Sequence, residues 1–140
     1  MTIQEKEQNI IEEFSVFEDW MDKYNYLIEL GQSLPLIDNK YRNDSYLIQG
    51  CQSRVWISAE MEDGKLVLKA DSDAVITKGI VYLLINVLSG QKPQDILDAD
   101  LNFLSEIGMQ EHLSPTRANG LTSMIKQIKL YALAFQTKEK

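Results

Sequence analysis

Val55-Trp56-Ile57-Ser58-Ala59-Glu60-Met61, followed by Glu62-Asp63-Gly64 and then Lys65-Leu66-Val67-Leu68-Lys69-Ala70, is the stretch that decides the fold. Val55, Ile57, Ala59 and Met61 alternate with Arg54, Trp56, Ser58 and Glu60, the period-two pattern of a half-buried strand. Glu62-Asp63-Gly64 reads as a hairpin turn, and Leu66, Leu68 and Ala70 carry the alternation onward. Upstream, Tyr46 and Ile48 alternate with polar neighbours, which predicts a further strand before Gln49-Gly50-Cys51-Gln52-Ser53. The expectation is a three-stranded antiparallel sheet, with Cys51 in a short connection between strands, beside a glycine. Such a sheet needs covering on at least one face.

Helical periodicity on either side supplies that cover. Ile3, Ile10, Ile11 and Phe14 predict a short amphipathic helix. Phe17, Trp20, Met21, Tyr24, Leu27 and Ile28 predict a second, ending near Gly31 and Pro35. Asp71-Ser72-Asp73 offers N-cap side chains for a helix running to about Ser89-Gly90. That helix is apolar nearly all round, so it is expected at the centre, with Lys78, Tyr82 and Asn86 as its one polar stripe. Pro93 sits where a short helix through Ile96-Leu97 would begin. Ser114-Pro115 is a cap followed by a first-turn proline, opening a last helix with Leu121, Met124, Ile125, Ile128, Tyr131 and Phe135 on one face. Helices around a clustered antiparallel meander make an α+β fold, and neither a repeat nor a linker divides residues 1–140 into more than one domain.

Composition narrows the function. The 140 residues are 44% hydrophobic and 25% charged, ordinary for a globular protein. A net charge of -7 argues against nucleic acid and against an anionic membrane surface, both of which need clustered Lys and Arg. The polar opening Met1-Thr2-Ile3-Gln4-Glu5-Lys6-Glu7 does not read as a signal peptide, and the longest apolar run, Ile80 to Leu88, is too short to span a bilayer. A cytoplasmic location is the expectation. One cysteine allows no internal disulfide, no resolving thiol and no four-cysteine metal or cluster site, and the one histidine weakens any transition-metal reading.

Few residues can therefore carry chemistry. A lone cysteine such as Cys51 is commonly a buried small hydrophobe. Its neighbours point the other way: Gly50, Gln52 and Ser53 supply no apolar pocket, Gly50 suits a tight or movable connection, and Gln52 and Ser53 can donate to a thiolate. Arg117 falls in the first turn of the last helix, where the macrodipole opposes a cation. It reads either as a solvated side chain or as a fixed positive charge for a thiolate, a carboxylate or a partner. His112, just before that helix, would form with Cys51 the dyad of a cysteine hydrolase or acyltransferase, though no acidic orienter or oxyanion motif announces itself. A binding module with an inert cysteine is the third alternative.

The string Gln49-Gly50-Cys51-Gln52-Ser53-Arg54-Val55-Trp56 resembles the GCQSxVW signature of the SufE family, which includes the CsdE proteins. Two further blocks are similar and in order: Asp71-Ser72-Asp73-Ala74-Val75-Ile76-Thr77-Lys78-Gly79 and His112-Leu113-Ser114-Pro115-Thr116-Arg117-Ala118-Asn119-Gly120-Leu121. The resemblance implies an α+β fold shared with the scaffold protein IscU but without its cluster ligands. It implies a sulfur carrier, not itself an enzyme, that activates a SufS- or CsdA-like cysteine desulfurase and passes sulfur to a downstream iron–sulfur scaffold. Cys51 would be the persulfide acceptor. Arg117 and Asp73 would lie near the acceptor segment or the desulfurase surface, with Gly50, Gln52, Ser53, Trp56 and His112 as segment and partner-contact positions. Pyridoxal phosphate would belong to the partner, so no cofactor and no metal are implied here. The chain would be a monomer or homodimer.

Overall fold

Alternation between Val55 and Ala70 does build a hairpin. In the computed structural model, which describes residues 1–50 and 53–138, strand β1 (Val55–Glu62) pairs antiparallel with strand β2 (Lys65–Ser72), from Val55 opposite Ser72 to Glu62 opposite Lys65. Asp63 and Gly64 take positive φ of 52° and 77°, as a tight two-residue hairpin turn requires. Val55, Ile57, Leu66, Leu68 and Ala70 are buried, each larger aliphatic side chain worth roughly 2 kcal/mol.

The third strand is not there among the described residues, and the sheet has two. Leu47 makes a single antiparallel bridge to Trp56, with Ile48 N–H donating to the Val55 carbonyl at 2.8 Å and Ile57 N–H to that of Tyr46 at 3.2 Å. The reason lies immediately upstream. Asn43 Oδ1 accepts the Ser45 N–H at 2.9 Å, and the amides of Tyr46 and Leu47 turn back to the carbonyls of Asn43 and Asp44. This local turn competes with extension and leaves too few residues for a ladder. The other edge of the hairpin is met the same way, by isolated bridges from Leu36 to Ala70 (parallel) and from Gln91 to Leu66 (antiparallel).

Helix α1 (Ile3–Ser15) begins with a capping box in which Thr2 and Glu5 satisfy each other's amides. Helix α2 (Trp20–Gly31) is capped by Asp19. Helix α3 (Val75–Leu88) starts later than expected: its N-cap is Ala74, without a side-chain bond, because Asp71 and Ser72 belong to β2 and Asp73 reaches elsewhere. Short helices α4 (Pro93–Asp98), α5 (Phe103–Glu106) and α6 (Met109–His112) precede helix α7 (Pro115–Lys138), where Ser114 Oγ accepts the Arg117 N–H at 3.3 Å as the cap predicts. No helix among the described residues is long and apolar enough to cross a membrane.

The central position of α3 is as expected: Ile76, Ile80, Val81, Leu83, Leu84, Val87 and Leu88 are all buried, and α3 packs against β2, α1, α2 and α7. Tyr131 of α7 donates to the Ile57 carbonyl at 2.8 Å and so holds that helix on β1. Where α2 crosses α3 the backbones nearly touch. A Cβ on Gly79 would stand 2.2 Å from the Leu27 carbonyl oxygen, and one on Gly31 2.9 Å from the Gly79 nitrogen. Gly79→Ala should therefore destabilise the fold by about 3 kcal/mol, near the upper end for overpacking, which is roughly 10 °C in a thermal melt. A melting temperature within about two degrees of wild type would show that this crossing has slack.

Candidate functional site

The hydrogen bond from Ile48 to Val55 closes the base of a six-residue segment, 49–54, that contains the single cysteine of the chain. Cys51 and Gln52 lie outside the described residues, so the site is built from the residues on either side of them. Gly50 is exposed with φ of 89°, a backbone conformation that favours glycine, and a Cβ there would meet Ser123 Oγ of α7 at 2.8 Å. Ser53 lines a cavity of about 20 Å³ with Thr77 and Ile80 of α3 and Thr116, Arg117, Gly120 and Met124 of α7. That volume holds about one water-sized atom. The described ends of the segment therefore rest on α3 and α7, and the structure brings Ser53 and Arg117 together as two walls of one cavity.

The exit of the segment is clamped to the junction between β2 and α3. Arg54 N–H donates to Asp73 Oδ1 at 3.0 Å, and Asp73 N–H returns to the Arg54 carbonyl at 3.2 Å. Ser72 Oγ donates to the same carbonyl at 2.8 Å. Asp73 thus serves the segment's backbone, which is why it does not cap α3.

Next to it lies a charged cluster that periodicity did not single out. Asp71, opposite Trp56 in the ladder, is buried, and its carboxylate meets Arg42 Nε at 3.5 Å and Lys78 Nζ at 3.3 Å while accepting the Ser72 N–H at 2.8 Å. The Arg42 guanidinium lies 4.7 Å from the centre of the Trp56 ring. One carboxylate therefore ties the chain before the segment (Arg42) to the first turn of α3 (Lys78), with Trp56, just after the segment, packed against the same arginine. Behind it, burial and then the Tyr46 phenol push the Tyr131 hydroxyl above its ordinary pKa, consistent with its donating to Ile57.

His112 has a different neighbour. Its ring stacks on Trp20 at 4.3 Å between centroids and 12° between planes, joining α6 to the start of α2. Among the described residues no group of three His, Cys, Asp or Glu side chains is arranged to hold a metal. Thr77, Thr116, Ser123 and Arg42 enter the site only through tertiary packing; Asp71 and Lys78 were expected as a helix-cap side chain and part of a polar stripe, not as a pair.

Comparison with known proteins gives a consistent family. The profile described as SufE, Fe-S metabolism associated domain, matches residues 8–132. An uncharacterised SufE-like protein of Rhizobium meliloti is 40% identical over 125 residues, which is 86% of this chain and 89% of the relative. Another from Synechocystis sp. is 37% identical over 127 residues, 91% of this chain and 80% of that protein. The solution structure of a hypothetical protein from Thermus thermophilus superposes with a TM-score of 0.78 at 22% identity, over 94% of this chain and 96% of the other, which is a likeness of fold.

Gly50 carries two separable constraints, its positive φ and its contact with Ser123. Gly50→Ala should cost about 2 kcal/mol, and adding Ser123→Gly should recover only the contact part, roughly half. Additive losses in a double-mutant cycle by thermal or urea unfolding would show that Gly50 does not rest on α7.

Proposed function

The chain belongs to the SufE family, associated with iron–sulfur metabolism, and we propose that within it this protein is the sulfur acceptor of a cysteine desulfurase. The observation that carries the reading is where the only cysteine falls. Position 51 falls in a segment closed at its base by Ile48 and Val55, with Gly50 against α7 and Ser53 on a cavity that Arg117 also lines.

In this reading the Cys51 thiolate attacks the outer sulfur of the desulfurase persulfide. A new S–S bond forms at Cys51, the S–S bond of the donor breaks, and the donor cysteine leaves as a thiolate. Electrons balance without an oxidant, because one disulfide-like bond replaces another. Arg117 supplies a fixed positive charge near the thiolate or at the partner surface. Pyridoxal phosphate resides on the desulfurase, and this chain works without a cofactor as a cytoplasmic carrier that hands sulfur toward an iron–sulfur scaffold. A second thiol nearby would release the bound sulfur as sulfide, a loss that a chain with one cysteine avoids. A Cys51–His112 hydrolase has weaker support, since the His112 ring is taken up by Trp20.

Incubation with desulfurase and cysteine should add one sulfur to the intact mass of the wild-type chain. Cys51→Ser should gain none and lose its stimulation of the desulfurase while still binding it. Stimulation by Cys51→Ser at the wild-type level would sink the acceptor role. Arg117→Ala should slow sulfur acceptance about tenfold or more, yet shift unfolding by no more than about 0.5 kcal/mol, as expected of an exposed side chain. Unchanged single-turnover transfer in that variant would make Arg117 a bystander.

A further inference from the structure

The sequence contains three arginines, at 42, 54 and 117, whereas its lysines are spread along the whole chain. All three arginines sit around the same segment. Arg117 lines the cavity beside Ser53. Arg54 is exposed at the segment's exit, its backbone fixed by Asp73 and Ser72. Arg42 lies over the ring of Trp56, two residues beyond Arg54 and so on the same side of an extended chain.

The guanidiniums of Arg54 and Arg117 form no ion pair among the described residues. Arg42 meets Asp71 through Nε, and with five N–H donors it retains capacity for a second carboxylate. Arginine, unlike lysine, offers a planar fork that holds a carboxylate through two parallel bonds. Stacking on Trp56 also fixes the Arg42 fork before any partner arrives, which lowers the entropy cost of docking. The chain as a whole is acidic, with a net charge of -7, so this arc of positive charge is a local contrast. Asp73, exposed beside Arg54, is engaged by Arg54's own backbone amide.

We infer that Arg42 and Arg54, together with Arg117, form a guanidinium rim around residues 49–54 that docks on a carboxylate-bearing face of the partner delivering sulfur. The inference rests on the acceptor reading and names the chemistry of that partner's surface. The rim holds the partner's acidic side chains in two-pronged pairs, sets register over the segment, and speeds encounter with that carboxylate-bearing face.

The test measures affinity and association rate between the full chain and the purified cysteine desulfurase of the same organism, at low salt and at about 0.5 M, where the Debye length falls to a few ångströms. Arg54→Glu should weaken binding about tenfold at low salt, mostly through slower association, with the gap closing as salt rises. Arg42→Lys, which keeps the charge and loses the fork, should weaken it a few-fold. Lys65→Glu makes the same charge change at the far end of the hairpin, about 25 Å away along the strand, and should bind as wild type does. Should Arg54→Glu not fold, Arg54→Gln carries the same criterion with a smaller loss. Arg54 variants within twofold of wild type at low salt, or a Lys65→Glu loss equal to theirs, would overturn the rim and leave the acceptor reading standing. A wild-type chain that neither binds the desulfurase nor gains sulfur would overturn the reading, and the rim with it.

Discussion

Between Gly79 and the carbonyl of Leu27 there is no room for a methyl group, and much of the molecule is arranged around that contact. It sets the spacing of α2 and α3, and α3 is the element against which β2, α1 and α7 also pack. The same turn of α3 carries Thr77, a wall of the cavity under Ser53, and Lys78, which meets Asp71. Interiors packed to the density of organic crystals pass displacements on instead of absorbing them. A shift of α3 at the crossing would therefore move the floor of the site and one of its charges together.

Asp71 shows why the site needs that rigidity. A nearly buried carboxylate is stable only with close partners, and removing one of them leaves a charge that costs several kcal/mol. Apolar residues of similar size would hold the hairpin as well. What the carboxylate adds is direction: it orients Arg42 over Trp56 and holds Lys78, so the chain before the segment is held relative to β1, β2 and α3. The clamp from Asp73 and Ser72 to Arg54 does the same for the chain that follows. Two polar anchors thus flank residues 49–54.

Much of this was legible in the sequence where the determining contacts are local. The hairpin follows from period-two alternation closed by Asp63-Gly64, and the start of α7 from Ser114-Pro115. Pattern and structure part where another contact competes with the pattern, a local one in the first case and a distant one in the second. Tyr46 and Ile48 alternate like a strand, but the side chain of Asn43 bends the chain before a ladder can form. Asp71-Ser72-Asp73 looks like a helix cap, yet Asp73 is claimed by the Arg54 amide 19 residues earlier. Cys51 stands out in the sequence as a cysteine between small and polar neighbours, and Arg117 as a cation placed against a helix dipole. Arg42 and Thr77 join the site only when strands and helices meet, and His112, near the helix start in sequence, is drawn instead to the indole of Trp20. In the sequence Gly31 marks the end of α2 and Gly79 carries no assigned role, and only the fold reveals that the two meet.

The acceptor reading places a demand on this arrangement that the anchors help to meet. A persulfide must be reachable by one partner thiolate and withheld from every other thiol around it. For the segment to open at the partner, the change has to be confined to residues 49–53, because Ile48, Val55 and Arg54 are tied into the sheet and its junction with α3. A partner that binds the closed and open arrangements equally well shifts nothing, however tightly it binds. The Arg42 fork is held over Trp56 and the Arg54 backbone by Asp73 and Ser72, so on this reading contacts to them would contribute affinity and register without favouring opening. On the acceptor reading a preference for an open state would come from contacts made to the segment itself, or from Arg117, which lines the same cavity as Ser53. On that reading the arginines held by the sheet serve docking alone, and the helix-borne Arg117, which lines a cavity with Ser53, serves docking and opening together.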